Sequence, residues 1–216
     1  GHTHKVNNSI AATHYEHNSG AACATWWWTG KNFPGIHIGQ DGAPGGYQIF
    51  EVSGTDFKWA FKPIGKDTDF QFRTYDRNQM TITADKYMDA SADDTYKNAF
   101  NKLASTWSST STDNEVYINI WNYDPQWKIE VTENGTKLDV TQVTVYDPLH
   151  LVTYSAPAMK KTTKPTFKTT TTSHMWKVKA SNSSSTLEIK VTDRFGNVFK
   201  ESMKRPKTFS VETYKF

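Results

Sequence analysis

The sequence predicts a mainly β protein, with a β-sandwich-like C-terminal domain that contains one helix, and three observations support this class. Short runs rich in β-branched and aromatic residues alternate between apolar and polar side chains, as half-buried strands do. Turn signals containing Gly, Pro or Asn-Gly separate these runs, and aromatic residues make up 14% of the chain. No apolar run approaches the roughly 20 residues of a membrane-spanning helix. We therefore expect no membrane span.

The first part of the chain, residues 1–62, is predicted to contain short strands between Gly-Pro turns. Gly54-Thr55 lies between the last two strands, where a tight hairpin turn is expected. The predicted strands of this part are Ile10 to Tyr15, Ala21 to Trp28, Tyr47 to Val52 and Phe57 to Phe61.

The second part, residues 66–216, is predicted to form the β-sandwich, and it is long enough for a core of its own. Side chains alternate from Val116 to Trp121, so that Val116, Ile118 and Ile120 point to one face. Asn134-Gly135 predicts a two-residue hairpin turn. The predicted strands lie near Phe70 to Tyr75, Glu115 to Trp121, Trp127 to Glu133, Thr141 to Tyr146, Met175 to Lys179, Leu187 to Thr192, Val198 to Met203 and Phe209 to Val211.

A single helix is predicted between the first two strands of this second part. Ser91 with Asp94 approximates a capping box at the start of the helix. The residues predicted to form its apolar stripe are Tyr96, Ala99, Phe100, Leu103 and Trp107.

The chain opens with Gly1-His2-Thr3-His4, in which one residue separates two histidines. In a strand, residues i and i+2 point to the same face, so both imidazoles would reach one side. Imidazole suits divalent transition metals, and two metals about 3.5–4 Å apart clamp a phosphoryl group and activate a water. The alternative is a solvated histidine pair at a chain terminus, and Gly1 also fits the residue that a protease cleavage leaves behind.

Several longer segments follow this motif in a specific order. They are His17 to Gly30, Asp41 to Val52, Val116 to Lys128, Asp147 to His150, Ser173 to Trp176 and Asp193 to Gly196. Together with Gly1 to His4, they resemble the C-terminal portion of secreted bacterial calcineurin-like metallophosphoesterases. The resemblance spans nearly the whole chain.

This resemblance implies that residues 1–62 are the last strands of an α/β metallophosphoesterase domain and its connector, and that residues 66–216 are the C-terminal β-sandwich accessory domain of the family. It implies that His2 and His4 bind the two different ions of a dinuclear centre of divalent transition metals. In such a centre, a metal-bound hydroxide hydrolyses a phosphomonoester or a phosphodiester. It also implies an extracytoplasmic location.

The other metal-binding motifs of the family, Asp-x-His, Gly-Asp-x-x-Asp and Gly-Asn-His followed by Asp or Glu, do not occur in the chain. A dinuclear centre needs more ligands than two histidines supply. We therefore expect a non-catalytic C-terminal fragment that acts as an accessory domain and binds no metal firmly by itself. Its partners would be the remainder of the catalytic domain and, through that domain, a phosphate ester.

The run Trp26-Trp27-Trp28 has two interpretations. In a strand, Trp26 and Trp28 share one face and Trp27 takes the other, so at least one indole is expected to be buried at the junction between the two parts. The other interpretation is an aromatic platform for a sugar ring or a lipid headgroup. It belongs to a competing functional class, a secreted β-sandwich that binds a glycan or a cell-surface partner.

The charge of the chain argues against a nucleic-acid partner. There are 25 Lys and Arg residues against 22 Asp and Glu residues, which gives a formal net charge of +3. The basic residues are spread along the chain apart from two short clusters, and solvated loops account for such clusters. No nucleic acid is expected to bind.

Overall fold

The computed structural model describes residues 4–11, 14–20, 27–28, 32–159 and 169–215. The strands are β1 (Val6–Ala11), β2 (His14–Ser19), β3 (Trp27–Trp28), β4 (Ile38–Gly39), β5 (Gly46–Ser53), β6 (Asp56–Pro63), β7 (Arg73–Asp76), β8 (Glu115–Asn119), β9 (Lys128–Glu133), β10 (Thr136–Lys137), β11 (Val140–Tyr146), β12 (Thr171–Lys179), β13 (Leu187–Thr192) and β14 (Val198–Met203). The α-helices are α1 (Ala84–Tyr87), α2 (Asp94–Leu103), α3 (Pro148–His150) and α4 (Ala156–Ala158), and a π-helical turn (Leu151–Ser155) joins α3 to α4. Short 3-10 helices cover Arg77–Gln79, Ser105–Trp107 and Val211–Tyr214.

Two four-stranded antiparallel sheets form the predicted β-sandwich. Their strand orders are β10-β9-β13-β14 and β11-β12-β8-β7. Between them lies an apolar core to which β8 contributes Ile118, β9 contributes Val131 and β13 contributes Ile189. The mainly β class and the sandwich are therefore confirmed.

A helical layer covers the other face of the sheet that contains β8. Tyr117 and Met175 point from this sheet into a second core, where they meet Phe100 of α2, Trp107 and Leu149. The central sheet is therefore buried on both faces, and its strands carry apolar side chains in both directions. Within the described ranges, no helix is long and apolar enough to cross a membrane.

Three two-stranded units precede the sandwich in the chain: β1 with β2, β3 with β4, and β5 with β6. The hairpin predicted at Gly54-Thr55 is confirmed, since Ser53 pairs with Asp56 and Gly54 has a φ of +62°. The Asn134-Gly135 turn is also confirmed, since both residues have a positive φ, as a type I′ hairpin requires. The division of the chain at residues 62 to 66 stays a prediction.

Three strand predictions need correction. Ile10 to Tyr15 is not one strand, because β1 ends at Ala11, β2 begins at His14 and the two pair in an antiparallel hairpin. Phe209 to Val211 is not a strand, because a 3-10 helix begins at Val211. The strand predicted from Phe70 begins only at Arg73. Strand-like composition did not determine the backbone geometry of these three segments, which depends on long-range packing.

The predicted helix exists, but its start differs from the prediction. Asp93 is the N-cap and its side chain accepts a hydrogen bond from the backbone N of Thr95, whereas Ser91 bonds to Asp89. Ala99, assigned to the apolar stripe, is exposed. The prediction of one helix is wrong, because α1 and the mostly buried segment Pro148 to Ala158 are further helical elements. The sequence did not predict the second of these, because its apolar run lacks a polar face.

Candidate metal-ligand segment and its polar anchor

The His-x-His motif lies at the edge of the described chain. His2 falls outside the described residues, whereas His4 is half-buried and has a φ of +56°, in the left-handed region that few non-glycine residues adopt. Strand β1 begins only at Val6. The argument that both imidazoles share one strand face therefore does not extend to His4, and the ligand assignment stays a prediction.

The first residue of β1 is fixed by a buried carboxylate. The backbone N of Val6 donates to Oδ2 of Asp41 at 2.8 Å. Oδ1 of the same carboxylate accepts from the backbone N of Ala43 at 3.1 Å. The side chain of Val6 packs against Ala43, Phe61 and Trp121. The backbone two residues after His4 is thus tied to the interior of the molecule.

His174 contacts the same carboxylate from β12. Its Nε2 lies 3.3 Å from Oδ2 of Asp41 and its Nδ1 lies 2.6 Å from Oδ1 of Asn119. The amide of Asn119 cannot be turned around, because its Nδ2 donates to Oδ2 of Asp147 at 2.8 Å. Both ring nitrogens of His174 therefore face hydrogen-bond acceptors, one on Asn119 and one on Asp41.

The ionised state of Asp41 is stabilised despite its burial. Burial raises the pKa of the Asp41 carboxyl, but hydrogen bonds from His174, Ala43 and Val6 lower it more. The resulting pKa lies below the usual value. Asp41 and His174 thus form a buried, hydrogen-bonded pair beneath the start of β1.

Asp147 extends this network towards the helical layer. Its Oδ2 accepts from Asn119 and, at 2.9 Å, from the hydroxyl of Tyr75. Its Oδ1 accepts from the backbone N of His150 at 3.0 Å and so caps α3. We call Asp41, Asn119, Asp147 and His174 the polar network.

Gly42 must be glycine for this network to close. Its φ is +83°, and a Cβ atom at this position would lie 2.1 Å from Cγ of Asp147. The carbonyl of Gly42 accepts from Nη1 of Arg73 at 2.9 Å. The turn after Asp41 therefore fits only because it lacks a side chain.

A second anchor holds β1 at Asn8. Its Nδ2 donates to the carbonyl of Asn122 at 2.8 Å and to Oδ1 of the same residue at 3.0 Å. Its Oδ1 lies 3.0 Å from Nδ1 of His17 on β2. Gln48 on β5 donates to Oδ1 of Asn122 at 2.7 Å. Strands β1 and β5 therefore both bond to Asn122, and β2 joins them through Asn8.

A cavity of about 360 Å³ opens beside the first anchor. Lys5, Asp41 and His174 line it together with Thr144 and Thr172. The cavity therefore contains charged side chains and begins at Lys5, one residue beyond His4 in the chain.

The tryptophan run falls mostly outside the described residues. Trp26 is not described, and Trp27 and Trp28 are described only as backbone that pairs with Gly39 and Ile38. The choice between junction packing and a sugar platform therefore stays open for these three residues.

A different aromatic group packs the junction between the hairpins and the sandwich. Trp59 of β6 lies 4.7 Å from Phe195 and 4.2 Å from His17 between ring centroids. The guanidinium of Arg194 lies 4.0 Å from the ring centre of Tyr15 and 4.9 Å from that of Trp59. Burial lowers the pKa of His17, which suits a neutral ring in this setting. No sequence signal pointed to this cluster.

The described residues do not form a metal centre by themselves. Across residues 4–11, 14–20, 27–28, 32–159 and 169–215, no three His, Cys, Asp or Glu side chains lie close enough to hold an ion. Asp41 and His174 bond to each other and to neighbouring groups instead. The donor set described here therefore does not fit a dinuclear metal pair.

Sequence reasoning singled out the segments that contain the polar network but assigned no role to its members. Two signals were present. Asn119 is a polar residue in a run whose other members alternate between two apolar faces. Asp41 and Asp147 each precede a residue with a special backbone, Gly42 and Pro148, as turn and cap residues do.

Comparison with known proteins found no match among curated proteins and none among solved structures. One family matches, described as the C terminal of calcineurin-like phosphoesterase, and the match covers residues 16–199. It includes Asp41, Asn119, Asp147 and His174 and begins after the His-x-His motif. The chain belongs to the family of C-terminal regions of calcineurin-like phosphoesterases.

Proposed function

We propose that this chain supplies His2 and His4 to the dinuclear metal centre of a calcineurin-like phosphoesterase that hydrolyses a phosphomonoester or a phosphodiester. In this proposal residues 1–62 complete the catalytic domain, and residues 66–216 are an accessory β-sandwich. The remainder of the catalytic domain is the partner that brings the other ligands. The protein works outside the cytoplasm.

The observation that carries the accessory role is the hydrogen bond from Val6 to Asp41. Two residues of extended chain span at most about 7 Å, so a fixed Val6 confines the backbone of His4 to a small volume. A metal ligand that is held before the ion arrives loses less conformational freedom on binding. The polar network thus connects the sandwich to the candidate ligands.

Two divalent transition metals are the proposed cofactors, because imidazole is a preferred ligand for such ions. The chain by itself holds neither ion firmly, since two imidazoles leave most coordination positions to water. His4 and His2 would hold the ions only together with ligands from the rest of the catalytic domain. The described residues contribute by positioning His4.

Two experiments test this function. The chain alone, mixed with an aryl phosphate and manganese, should show no turnover. In the longer enzyme, His2→Ala or His4→Ala should each lower turnover by orders of magnitude and reduce the bound metal. His14→Ala is the matched control, because His14 is exposed on β2. Wild-type turnover and metal content in the His4→Ala enzyme would remove the ligand assignment.

A second candidate function, glycan or surface binding, has one observation in its favour. The β5–β6 hairpin and the adjoining β2 expose aromatic rings of Tyr15, Tyr47, Phe50 and Phe57, each at least 39% accessible. Such rings stack on sugars and cost little stability when removed. A glycan that binds the wild-type chain in the micromolar range, and fails to bind a stable Phe50→Ala variant, would favour this function.

A further inference from the structure

A second cavity, far along the chain from the His-x-His motif, is lined by several cationic side chains. It has a volume of about 170 Å³ and lies between β7, β14 and the C-terminal segment. Lys66, Arg73, Lys207 and Lys215 line it, with Glu201 as the carboxylate. We call it the basic cavity.

Arg73 brings a buried charge with unused donors to this cavity. Arg73 is only 4% exposed. Its Nη1 donates to the carbonyl of Gly42 at 2.9 Å and to the hydroxyl of Tyr75 at 3.3 Å. Its Nε is buried without a hydrogen-bond partner. A buried N–H without a partner is unusual in proteins and commonly marks the place of a water or an ion.

Aromatic rings hold the guanidinium of Arg73 in place. Its central carbon lies 5.4 Å from the ring centre of Trp121 and 5.8 Å from that of Tyr214. A planar guanidinium that stacks on rings keeps its N–H groups pointing outwards in its own plane. The donors are therefore oriented before any ligand arrives.

The carboxylates near the basic cavity already have partners. Oε1 of Glu201 accepts from Nζ of Lys207 at 2.9 Å and from the hydroxyl of Thr74 at 2.7 Å. Lys215 pairs with Glu212 at 2.7 Å, and Glu212 itself does not line the cavity. Asp147 is linked to Arg73 through the hydroxyl of Tyr75, and its charge also stabilises the guanidinium electrostatically. An ammonium group carries three N–H donors, so Lys207, which also donates to the hydroxyl of Thr74 at 2.6 Å, and Lys215 each have more donors than these contacts use.

We infer that the basic cavity binds a small tetrahedral oxyanion of the size of phosphate or sulfate. Four cationic side chains from three parts of the chain line it, Lys66 before β7, Arg73 on β7, and Lys207 with Lys215 after β14, and this number of donors suits the four oxygens of a tetrahedral anion better than the two of a carboxylate. The volume lies below the 300–1,000 Å³ that is usual for drug-sized ligands and leaves room only for a small group on the anion. This inference does not depend on the proposed hydrolysis.

Titration of the full chain with inorganic phosphate at constant ionic strength, followed by ¹⁵N NMR, tests the inference. We expect a saturable change with a dissociation constant at or below about 1 mM, in which the Nε–H signal of Arg73 moves. Sulfate should compete with phosphate and acetate should not. A methyl phosphate titration tells whether the natural ligand is a free anion or a small phosphate ester.

The double variant Lys66→Ala/Lys215→Ala should weaken phosphate binding by about tenfold or more, because it removes two charge-assisted donors. The matched control is Lys137→Ala/Lys190→Ala, which removes the same charge from exposed positions of the other sheet. Both pairs leave Arg73 and its contacts intact, so both proteins should fold. Arg73→Lys keeps the positive charge but loses the planar, multiply donating guanidinium. In this variant, phosphate should no longer cause a saturable change in the backbone amide signals around the basic cavity.

Three results would overturn the inference. The first is no saturable change at phosphate concentrations up to about 10 mM, far above the expected dissociation constant. The second is equal phosphate affinity in the Lys66→Ala/Lys215→Ala variant and in its control. The third is phosphate binding that shifts signals elsewhere while the Arg73 Nε–H stays unchanged.

Discussion

The two faces of β8 are buried in different ways. Val116 and Ile118 face the second sheet inside an apolar core. On the opposite face Tyr117 packs in the core under the helical layer, whereas Asn119 belongs to the polar network. Apolar burial contributes free energy in proportion to area and without direction. Buried charged groups and amides contribute little net free energy but determine which groups bond to each other. The first face therefore only stabilises the sandwich, whereas the second also holds β1 in position through Asn119.

The largest effect is expected from the apolar face. Ile118 is fully buried, so Ile118→Ala should lower the free energy of unfolding by about 2–5 kcal/mol through lost transfer energy and the cavity that remains. Urea denaturation followed by tryptophan fluorescence measures this change. A loss under about 1 kcal/mol would mean that the two sheets do not pack as described.

A smaller effect on stability is expected from the polar network. Asp41→Asn removes the partner of His174 while keeping the shape of the side chain, and should cost about 2–3 kcal/mol. The pKa of Asp41 lies below its unfolded value, so the stability from its charge is present above that unfolded value and is lost as the pH falls through the folded one. Urea midpoints of wild type and Asp41→Asn should therefore converge in acid, and a constant difference would contradict a stabilising charge on Asp41.

His150 beside the polar network gives a pH dependence of comparable size. Burial lowers the pKa of His150 to about 3, and Asp41 raises it by less. The unfolded chain takes up this proton below pH 6.5 and the folded chain resists it, so stability falls as the pH drops from about 6.5 towards 3. The protonation of His150 should lower the free energy of unfolding by about 2 kcal/mol between pH 7 and pH 5. His150→Gln should remove that part of the pH dependence, and an unchanged slope would contradict it.

The smallest effect is expected on the solvent side of the sandwich. Lys190 and Glu130 form an ion pair at 2.9 Å, with nearly half of each side chain exposed. Lys190→Ala should change the free energy of unfolding by less than about 0.5 kcal/mol. If Lys190→Ala lowered the free energy of unfolding as much as Asp41→Asn does, burial would not explain the difference between the Lys190–Glu130 pair and the Asp41–His174 pair.

The apolar core of the sandwich could be predicted from the sequence. The alternation in β8 and the Asn134-Gly135 turn are local patterns, and both were confirmed. Local patterns also failed where the backbone turned, since Ile10 to Tyr15 has a strand-like composition but contains the end of one strand and the start of the next.

The polar network could not be predicted, because its members are far apart in the chain. Asp41 and His174 are separated by 133 residues. No spacing rule links them, and a lone histidine in a strand is more often structural than functional. Gly42 illustrates the same point, since its need to be glycine follows from the position of Asp147 and from no neighbour in sequence.

The central claim is that the polar network holds β1 in place, and hydrogen exchange at the Val6 amide tests it most directly. In wild type this amide donates to Asp41 and should be protected. In Asp41→Asn its exchange should accelerate by about tenfold or more relative to wild type, while the amide of Ile118 stays protected. Equal exchange of the Val6 amide in the two proteins would contradict the claim.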